Sequence, residues 1–538
     1  MRQTDTPILS VQDLRVRIGA ADLVHGVSFD VHDGETVGIV GESGSGKSLS
    51  VLSATRLLDL PHQQVTGRSL LRGKDLVTAS KAELRRVHGP EIGFVFQDPS
   101  TSLNPLLTLE RQLTEGPEAH LRLSHRAARS RAIGLLEAVG LPDPEQRLQS
   151  YPHQLSGGQR QRVMIAIALA CDPSLLIADE PTTALDVTTQ AQILELVREM
   201  QRERGMAVVW ISHDLGVIGQ VANEVTVLYR GEAVEQRPIL ELFDRPEHEY
   251  TRRLLSSRPS LSSEGPKPAP PSAQPILEVA DLNVRFPVKS KTGTTWVHAV
   301  RDVSFTVARG TTLGLVGESG SGKSTIAGAL TGQVVPESGS VTLDGGDVLA
   351  SRGAAQRSMR RRMSMVFQDP FSALNPRMTV AESIAEPLIV HRLRDGAQAR
   401  TDRVNELLDQ VQLPRTFAAR YPHEMSGGQR QRVCIARALA CEPELLILDE
   451  STASLDVSIQ AEVMALLKQL QLELGLAYLF IAHDLAVVHE MSHEVMVMRR
   501  GEIVEAGPSG DLYANPKHEY TQSLLAAIPP SRPVAATR

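Results

Sequence analysis

The chain has 538 residues, which as a soft prior corresponds to roughly two to four domains, and its 41% hydrophobic and 22% charged residues are typical of a globular protein. It has 56 Lys and Arg residues against 63 Asp and Glu residues, a net charge of −7, and only 4% aromatic residues. Such a chain lacks the basic surface of a duplex DNA binder and the ring platforms that stack on bases. We therefore expect no nucleic-acid partner.

The cysteines indicate a chain without covalent or metal cross-links. Cys171, Cys434 and Cys441 are odd in number and none forms a C-x-x-C pair, which disfavours a disulfide framework, a four-cysteine zinc site and an iron–sulfur cluster held by this chain alone. The N-terminal residues have no apolar run of signal-peptide length, and the chain has no stretch of about 18 consecutive apolar residues. We expect that the chain does not span a membrane, although it can dock on a protein that does.

The chain contains an internal repeat, in which the same motifs occur in the same order in both halves. The segment GESGSGKS occurs at Gly41–Ser48 and again at Gly317–Ser324, and YPHQLSGGQRQRV at Tyr151 returns as YPHEMSGGQRQRV at Tyr421. Further pairs, LLIADE with LLILDE, ISHDL with IAHDL and HEYT with HEYT, recur at nearly the same spacing. A repeat of this length is a duplicated domain and not the short unit of a solenoid.

A segment rich in Pro and Ser separates the two copies. The stretch SRPSLSSEGPKPAPPSAQP, residues 257–275, has almost no large apolar side chains, so it cannot bury enough surface to fold by itself. We predict a first domain over 1–256, a linker over 257–275 and a second domain over 276–538.

Short apolar runs alternate with helical segments along the first copy. Glu35–Gly41 is an apolar run that ends in Gly, Lys47–Leu58 is typical of a helix, and Leu175–Asp179 and Val208–Ser212 are further buried-strand candidates. Strands separated by helices predict a parallel α/β sheet covered by helices. The second copy repeats the strand candidates at Thr311–Gly317, Leu445–Asp449 and Tyr478–Ala482.

Each copy also contains a longer helical stretch between its predicted strands. The residues between Gln97 and Ser156 have a helical pattern, most clearly in Arg131–Leu141, and their counterpart lies between Gln368 and Ser426. We therefore predict a helical insert in each α/β domain.

The pattern G-x-x-x-x-G-K-[ST] appears twice, each time after an apolar strand and before a helix. Its glycines let backbone N–H groups surround phosphate oxygens, Lys47 and Lys323 would neutralise the β and γ phosphates, and Ser48 and Ser324 would give a hydroxyl to Mg²⁺. The sequence thus predicts a nucleotide phosphate chain and Mg²⁺ as ligands. The loop residues expected to bind the nucleotide are Gly41, Ser43, Gly44, Ser45, Gly46, Lys47, Ser48 and Leu49 in the first copy and Gly317, Ser319, Gly320, Ser321, Gly322, Lys323, Ser324 and Thr325 in the second.

Acidic pairs and histidines follow the apolar strands, at the edge of the sheet where α/β proteins bind ligands. We predict that Asp179 holds Mg²⁺ through water, that Glu180 orients or activates the attacking water, and that His213 contacts the γ-phosphate. The equivalent residues of the second copy are Asp449, Glu450 and His483.

In this order the motifs resemble the ATP-binding cassette (ABC) family over nearly the whole chain outside the linker. LSGGQ and MSGGQ resemble the family signature, FVFQDP and MVFQDP its Q-loop, and TALD and ASLD its D-loop. The resemblance implies tandem P-loop NTPase domains of the α/β class, each with a helical insert. The residues that it adds are Ser156, Gly157, Gly158, Gln159, Ser426, Gly427, Gly428 and Gln429 of the signatures, the catalytic and metal-binding Gln97 and Gln368 of the Q-loops, and Asp186 and Asp456 of the D-loops.

The family resemblance further implies two ATP sites, each closed by the signature of the other copy. The first copy departs from the family pattern at two positions. Leu49 replaces the Thr that the second copy keeps as Thr325, and Ile18 stands near the position of an adenine-stacking aromatic that Phe286 can fill in the second copy. We expect both sites to hydrolyse ATP, and the Lys47 site to hold ATP more weakly.

The C-terminal tails of the two copies narrow the resemblance to one group of transporters. RPEHEYTRRLL and NPKHEYTQSLL resemble the H-x-Y-T-x-x-L-L ending of the oligopeptide, dipeptide and nickel importer ATPases. This implies an energy-coupling ATPase at the cytoplasmic face of the membrane, with two permease subunits and an extracytoplasmic binding protein as partners. Its solute would be a di- or oligopeptide, or alternatively nickel, glutathione or another small solute. Some relatives carry a cysteine-rich extension that holds an iron–sulfur cluster after the first domain. This chain has only the Pro-rich linker at that place, so we expect no iron–sulfur cluster.

Other cassette proteins fit the sequence less well. A twin-cassette translation factor would have a long charged helical linker and an N-H-L-D type D-loop, and a DNA-repair cassette ATPase would have zinc-binding cysteine pairs. This sequence has neither feature. A fused sugar-importer ATPase would lack the HEYT tails.

Overall fold

The computed structural model describes residues 6–182, 185–259, 261, 265–266, 274–290, 293–453, 455–530 and 532–533. The chain divides into two compact units. The first consists of Met1–Leu185, Thr189–Arg258 and Pro529–Arg538, and the second of Asp186–Thr188 and Pro259–Ile528. Most of the predicted linker 257–275 lies outside the described residues, and the predicted domain boundaries stay predictions.

A six-stranded sheet forms the centre of the first unit. Five of its strands run parallel, and Glu232–Pro238 pairs antiparallel at one edge. The strands Thr36–Val40, Leu175–Asp179 and Ala207–Ser212 are buried at every position because apolar clusters cover both faces of the sheet. The predicted α/β sheet is therefore confirmed, apart from the antiparallel edge. In spatial order the strands are Glu232–Pro238, Glu224–Tyr229, Thr36–Val40, Ala207–Ser212, Leu175–Asp179 and Ile92–Val95.

A second, antiparallel sheet in this unit is missing from the sequence-based prediction. Its first strand, Leu9–Ile18, alternates buried and exposed residues over its second half, which is the period of a strand with one face in the core. Leu14 of this strand shares an apolar cluster with Ile39 and Ile211 of the larger sheet. The strands of the antiparallel sheet are Leu9–Ile18, Ala21–Val31, Gln63–Leu71 and Lys74–Asp75.

The predicted helical insert of the first copy is present. Its two longest helices, Leu109–His120 and His125–Ala138, begin after Thr108 and Ser124, whose hydroxyls accept backbone N–H groups of the first turn. The helices of the first half of the chain are Lys47–Ala54, Lys81–Val87, Pro99–Ser102, Leu109–His120, His125–Ala138, Pro144–Arg147, Gly157–Ala168, Val187–Arg204, Leu215–Val221, Ile239–Asp244 and Glu249–Ser256, with a 3₁₀ turn at Pro152–Gln154.

Two predicted helix ends are wrong. The helix after the phosphate loop ends at Ala54 instead of Leu58, because Arg56 adopts a left-handed conformation with φ 54° that a helix cannot continue. The segment predicted as Arg131–Leu141 ends as a helix at Ala138, and Gly140 with φ 66° turns the chain away.

The second unit repeats this architecture. Its large sheet has five parallel strands and one antiparallel edge strand, in the order Met363–Val366, Leu445–Asp449, Ala477–Ile481, Thr312–Val316, Glu494–Arg499 and Glu502–Pro508. The antiparallel sheet consists of Pro275–Ser290, Gly293–Ala308, Ser338–Leu343 and Gly346–Asp347. The helices are Lys323–Leu330, Gly353–Arg362, Pro370–Ala373, Val380–Val390, Ala397–Gln410, Gly427–Leu439, Val457–Leu474, Leu485–Met491, Ser509–Ala514 and Glu519–Ala526, with 3₁₀ turns at Arg415–Ala419 and Pro422–Glu424.

The three cysteines are buried and unpaired. Burial raises the pKa of each thiol, that of Cys434 to about 11, so these side chains are packing residues and not reactive thiolates. Within the described part of the chain, every helix is too short or too polar to cross a bilayer.

Candidate active sites

The phosphate loop of the first unit connects the end of strand Thr36–Val40 to the helix that begins at Lys47. Gly41 has no room for a side chain, because a Cβ there would lie 2.2 Å from the carbonyl oxygen of Leu228. Gly46, with φ 96°, adopts a left-handed conformation just before the helix. The loop therefore needs glycine at both ends to pass close to the neighbouring strand and to enter the helix.

The second phosphate loop has the same construction. A Cβ at Gly317 would lie 2.2 Å from the carbonyl oxygen of Met498, and Gly322 has φ 112° immediately before Lys323. In both loops the two central residues lie at the exposed tip, namely Ser43 and Gly44 in the first and Ser319 and Gly320 in the second.

A buried lysine lies inside each loop. Lys47 is 5% exposed, and its Nζ donates to the carbonyl oxygens of Gly41 at 2.7 Å and Glu42 at 3.0 Å. Its Nζ also lies 3.8 Å from Oε1 of Glu180. A cation at this position can compensate the negative charge of a bound phosphate chain.

The lysine of the second loop makes matching contacts. Lys323 Nζ donates to Gly317 O at 2.8 Å and Glu318 O at 3.0 Å, and it lies 3.9 Å from Oε1 of Glu450. Burial lowers the pKa of Lys323, while the nearby carboxylates Glu450 and Asp449 oppose that shift.

A hydroxyl and a carboxylate meet beside each lysine. Ser48 Oγ donates to Oδ1 of Asp179 at 2.7 Å, and Ser324 Oγ donates to Oδ1 of Asp449 at 3.2 Å. Burial raises the pKa of both aspartates, and the serine hydrogen bonds partly offset that shift. Paired hydroxyl and carboxylate oxygens are hard ligands of the kind that Mg²⁺ prefers, so the residues present fit this ion.

Two buried hydroxyls of the loops also fit a ligand rich in oxygen atoms. Ser45 Oγ and Ser321 Oγ are buried and have no hydrogen-bond partner among the described residues. An unpaired buried hydroxyl is costly unless a ligand or water satisfies it. The position of both hydroxyls in the loops is consistent with the phosphate contacts that the motif predicts.

The glutamates that follow the two aspartates have a strained backbone. Glu180 and Glu450 adopt left-handed φ values of 47° and 45°, which are rare for residues other than Gly. The backbone N–H of Glu180 donates to Ile211 O at 3.0 Å and that of Glu450 to Ile481 O at 2.8 Å, so the adjacent strand holds the turn. Strained residues of this kind cluster at active sites, although other residues of this chain, such as Arg56, share the conformation.

Each glutamate carboxylate meets the predicted Q-loop and histidine side chains. Gln97 Nε2 donates to Oε2 of Glu180 at 3.0 Å, and Nδ1 of His213 lies 3.2 Å from the same oxygen. In the second unit Gln368 Nε2 donates to Glu450 Oε2 at 2.6 Å, and His483 Nδ1 lies 3.9 Å from it. In each unit the structure thus brings the predicted lysine, serine, aspartate, glutamate, glutamine and histidine together. Gln97 is hydrogen-bonded to Glu180, and Gln368 to Glu450.

The signature segments start long helices, as the sequence predicts. Ser156 caps the helix Gly157–Ala168, accepting from Gln159 N while the Gln159 side chain accepts from Ser156 N. Ser426 and Gln429 repeat this reciprocal cap at the start of Gly427–Leu439. Gly158 and Gly428 lie in the first turns of these two helices.

The D-loop aspartates lie beside the long helices of each half. Asp186 accepts a hydrogen bond from the Thr188 hydroxyl at 2.7 Å, and Asp456 precedes the helix Val457–Leu474 as its N-cap residue. The D-loop residues 183, 184 and 454 lie outside the described residues. Leu49 and Thr325, the residues that distinguish the two loops, are both half-buried in the helix after the loop.

A tyrosine in each C-terminal tail also contacts a phosphate loop, although the sequence analysis used the tails only as a mark of subfamily. Glu42 N donates to the hydroxyl of Tyr250 at 2.8 Å, and Glu318 N donates to that of Tyr520 at 3.1 Å. The recurrence of HEYT in both copies marks these tyrosines in the sequence, but it does not show that they contact the phosphate loops.

The strand–loop–helix geometry, the buried lysine and the acidic pair define a P-loop nucleotide-binding ATPase. The family description "ABC transporter" matches residues 24–183 and 300–453, and "Oligopeptide/dipeptide transporter, C-terminal region" matches 234–282 and 504–538. The chain belongs to the ABC transporter family and carries two ATPase cassettes. Because the ATP-binding proteins of this family hydrolyse ATP, the chain is an ATPase.

Several curated proteins are similar to this chain over almost its whole length. The "Glutathione import ATP-binding protein GsiA" of Pectobacterium atrosepticum is 47% identical, over 95% of this chain and 87% of its own. The "Peptidoglycan transport ATP-binding protein YejF" of Agrobacterium fabrum is 46% identical, over 98% of this chain and 97% of its own. Among solved structures, cbiO1 of Clostridium perfringens is 30% identical, with a TM-score of 0.40, and covers 45% of this chain and 91% of its own.

Proposed function

We propose that this chain powers the uptake of short peptides or peptide-like solutes, glutathione among them, as the ATPase of an ABC importer. The observation that carries the proposal is the pair of segments, 234–282 and 504–538, that match the C-terminal region of oligopeptide/dipeptide transporters. Relatives named for glutathione import and peptidoglycan transport support the same solute class, because glutathione is a tripeptide and peptidoglycan contains peptide stems.

The proposal assigns one ATPase site to each of two domains, 1–256 and 276–538. Two membrane permease subunits would bind the ATPase, and an extracytoplasmic binding protein would deliver the solute. The chain would then act at the cytoplasmic face of the membrane. These partners would select the solute, and this chain would supply the energy of ATP hydrolysis.

At the first site the buried side chains divide the work of hydrolysis. Lys47 would neutralise the phosphate chain, and Ser48 and Asp179 would hold Mg²⁺, which neutralises phosphate charge when it is bound. Glu180 would accept the proton of the attacking water, and Gln97 and His213 would orient its carboxylate through their contacts with Oε2. His213 would also contact the γ-phosphate.

At the second site the same roles fall to Lys323, Ser324, Asp449, Glu450, Gln368 and His483. The signature helices would add anion-binding N-termini to ATP binding, since four backbone N–H groups at the start of a helix lack partners within the helix. The D-loop residues Asp186 and Asp456 would complete the two sites.

An uptake assay tests this proposal. Cells lacking redundant importers would carry the wild type or the Glu180→Gln/Glu450→Gln variant, which keeps the shape of both side chains and removes both carboxylates. Labelled di-, tri- and oligopeptides, glutathione and nickel would be supplied separately. The exposed pair Glu203→Gln/Glu473→Gln provides a matched control with the same chemical change.

We expect the site variant to abolish uptake of one class of peptide or of glutathione, and the control to transport like the wild type. Unchanged uptake of all peptides and of glutathione would contradict the proposed solute class. Loss of nickel uptake alone would assign the chain to the metal importers of the same subfamily.

A further inference from the structure

The tail helices of the two units reach the phosphate loops through single tyrosine hydroxyls. Tyr250 lies in the first turn of the helix Glu249–Ser256 and is 4% exposed. Its hydroxyl accepts a hydrogen bond from the backbone N–H of Glu42, the second residue of the loop motif, at 2.8 Å. Tyr520 is placed in the same way in the helix Glu519–Ala526.

The hydrogen bond to tyrosine acts on the same peptide unit that holds the lysine. The N–H of Glu42 and the carbonyl of Gly41 belong to one planar trans peptide, so they point in opposite directions. The N–H points to the Tyr250 hydroxyl, and the carbonyl accepts from Lys47 Nζ at 2.7 Å. Fixing one end of this peptide therefore fixes the acceptor at its other end.

The second unit repeats this chain of contacts. Glu318 N donates to the Tyr520 hydroxyl at 3.1 Å, and the carbonyl of Gly317 accepts from Lys323 Nζ at 2.8 Å. The recurrence in two copies with different surroundings argues for a role that both sites share. Beside the tyrosine ring the first unit has Tyr229, at 4.3 Å between ring centroids.

Each tail helix is itself anchored to the edge of the large sheet. The carboxylate of Glu235, on the edge strand, accepts the backbone N–H groups of Glu247 at 2.9 Å and His248 at 3.0 Å. Burial opposes ionisation of Glu235, but these hydrogen bonds outweigh it and lower its pKa. Glu505 of the second unit accepts from Lys517 N and His518 N in the same way. These contacts hold the start of each tail helix, and with it the tyrosine, against the edge strand.

We propose that Tyr250 and Tyr520 are positioning residues for ATP binding, which act through the peptide at the start of each phosphate loop on Lys47 and Lys323. The inference rests on the proposed placement of ATP at these two lysines. It gives the H-x-Y-T tail a function within the ATPase site, and it makes the anchored tail part of the nucleotide-binding structure.

Binding of fluorescent N-methylanthraniloyl-ATP in the presence of Mg²⁺ tests the inference on the full chain. Tyr250→Phe/Tyr520→Phe removes both hydroxyls and keeps the packed rings. We expect its dissociation constant and its KM for ATP to rise about fivefold, as for the loss of one neutral hydrogen bond, with kcat within about twofold. Tyr229→Phe removes a hydroxyl from the aromatic ring beside Tyr250 and should leave the affinity unchanged.

A double-mutant cycle separates positioning of the lysine from general support of the loop. In a Lys47→Ala/Lys323→Ala chain the two tyrosine substitutions should change the affinity by less than about twofold. An equal loss in both backgrounds, or an unchanged affinity of the tyrosine variant in the chain with lysines, would overturn the inference. If the lysine substitutions themselves leave the affinity unchanged, the proposed nucleotide site fails instead.

Discussion

In the first unit the Ser48 hydroxyl lies 2.7 Å from the carboxylate of Asp179, whereas the matching distance between Ser324 and Asp449 in the second unit is 3.2 Å. The histidine contacts differ in the same sense, with Nδ1 to glutamate distances of 3.2 and 3.9 Å. The Glu180 side chain is 8% exposed and that of Glu450 is 16% exposed. The first glutamate is thus more buried and closer to its histidine, whereas the glutamine contact is shorter in the second unit, at 2.6 Å against 3.0 Å.

The residues around these clusters differ more than the clusters themselves. Leu49 is replaced by Thr325 beside the loop serine, and Tyr229 beside the tail tyrosine is replaced by Arg499, whose guanidinium lies 4.7 Å from the ring centroid of Tyr520. The lysine, serine, acidic pair, glutamine and histidine are present in both units. Both units therefore carry the residues proposed for hydrolysis, and we expect the two sites to differ mainly in how firmly they hold ATP.

We expect the largest effect, a loss of ATPase rate, from substitutions that test whether both sites hydrolyse ATP. Glu180→Gln/Glu450→Gln should lower the steady-state ATPase rate by at least about 100-fold, because general base catalysis at both sites is lost. Each single variant should keep measurable activity above that of the double variant. Glu203→Gln/Glu473→Gln serves as the control, and a single variant as inactive as the double would break the equivalence of the two sites.

The next effect concerns ATP affinity. Lys47→Ala and Lys323→Ala each remove a buried cation, and we expect Lys323→Ala to weaken nucleotide binding by about 10- to 100-fold at its site. Lys47→Ala should reduce the affinity for ATP less than Lys323→Ala does. The first site lacks the hydroxyl that Thr325 supplies in the second, and it has Ile18 where an aromatic residue would stack on adenine. Titration with fluorescent ATP measures both variants, and an equal loss would refute the predicted asymmetry.

A third effect should be the same in both units. Gly41→Ala and Gly317→Ala each place a Cβ 2.2 Å from a backbone carbonyl oxygen, so each should destabilise its unit by about 1–3 kcal/mol. Thermal unfolding measures the change. Gly134→Ala is the control, because its Cβ meets no atom within 4 Å inside a helix, and it should raise stability slightly.

The smallest effect concerns acid stability and is confined to the second unit. The guanidinium groups of Arg362 and Arg309 donate hydrogen bonds to the carboxylate of Glu444, and these bonds hold the pKa of that carboxyl below its usual value. The first unit has Ser174 at the matching position and therefore lacks this ion pair. A lowered pKa stabilises the fold at neutral pH, and this contribution is lost as the pH falls through the lowered value.

Glu444→Gln should therefore lower stability at pH 7 by at most about 1 kcal/mol, since the pair is partly exposed. The difference from the wild type should shrink as the pH falls below the ordinary glutamate pKa and vanish once the pH is below the lowered pKa of Glu444. Thermal unfolding between pH 7 and pH 3 measures it, with Ser174→Ala as the control in the first unit. A difference that keeps its pH 7 size down to pH 3 would contradict the electrostatic explanation.

The sequence alone predicted most of the site but only part of the fold. The loop motifs and the acidic pairs are local patterns, so their strand–loop–helix context and the placement of Lys47 and Lys323 follow from them. The antiparallel sheet was missed although Leu9–Ile18 alternates in part. Its other strands have many exposed residues, and Gln63–Leu71 pairs with Leu9–Ile18 across the intervening phosphate loop and helix.

The contact between tail and loop could not be predicted from the sequence. About 200 residues separate Tyr250 from Glu42, and nothing in the spacing of HEYT shows which backbone group its hydroxyl meets. The left-handed backbone conformation of Glu180 and Glu450 could not be predicted from the sequence either, because it depends on backbone hydrogen bonds to the adjacent strand. These features depend on tertiary packing and not on local pattern.

The central claim is that one chain contains two working nucleotide sites built from the same residues. Equilibrium dialysis of the full-length Glu180→Gln/Glu450→Gln variant against ATP and Mg²⁺ tests it most directly, because ATP is bound but not consumed. We predict that the chain retains two ATP molecules at saturation, and that Lys47→Ala or Lys323→Ala weakens the binding of one of the two. Saturation at a single ATP in the variant with both lysines would contradict it.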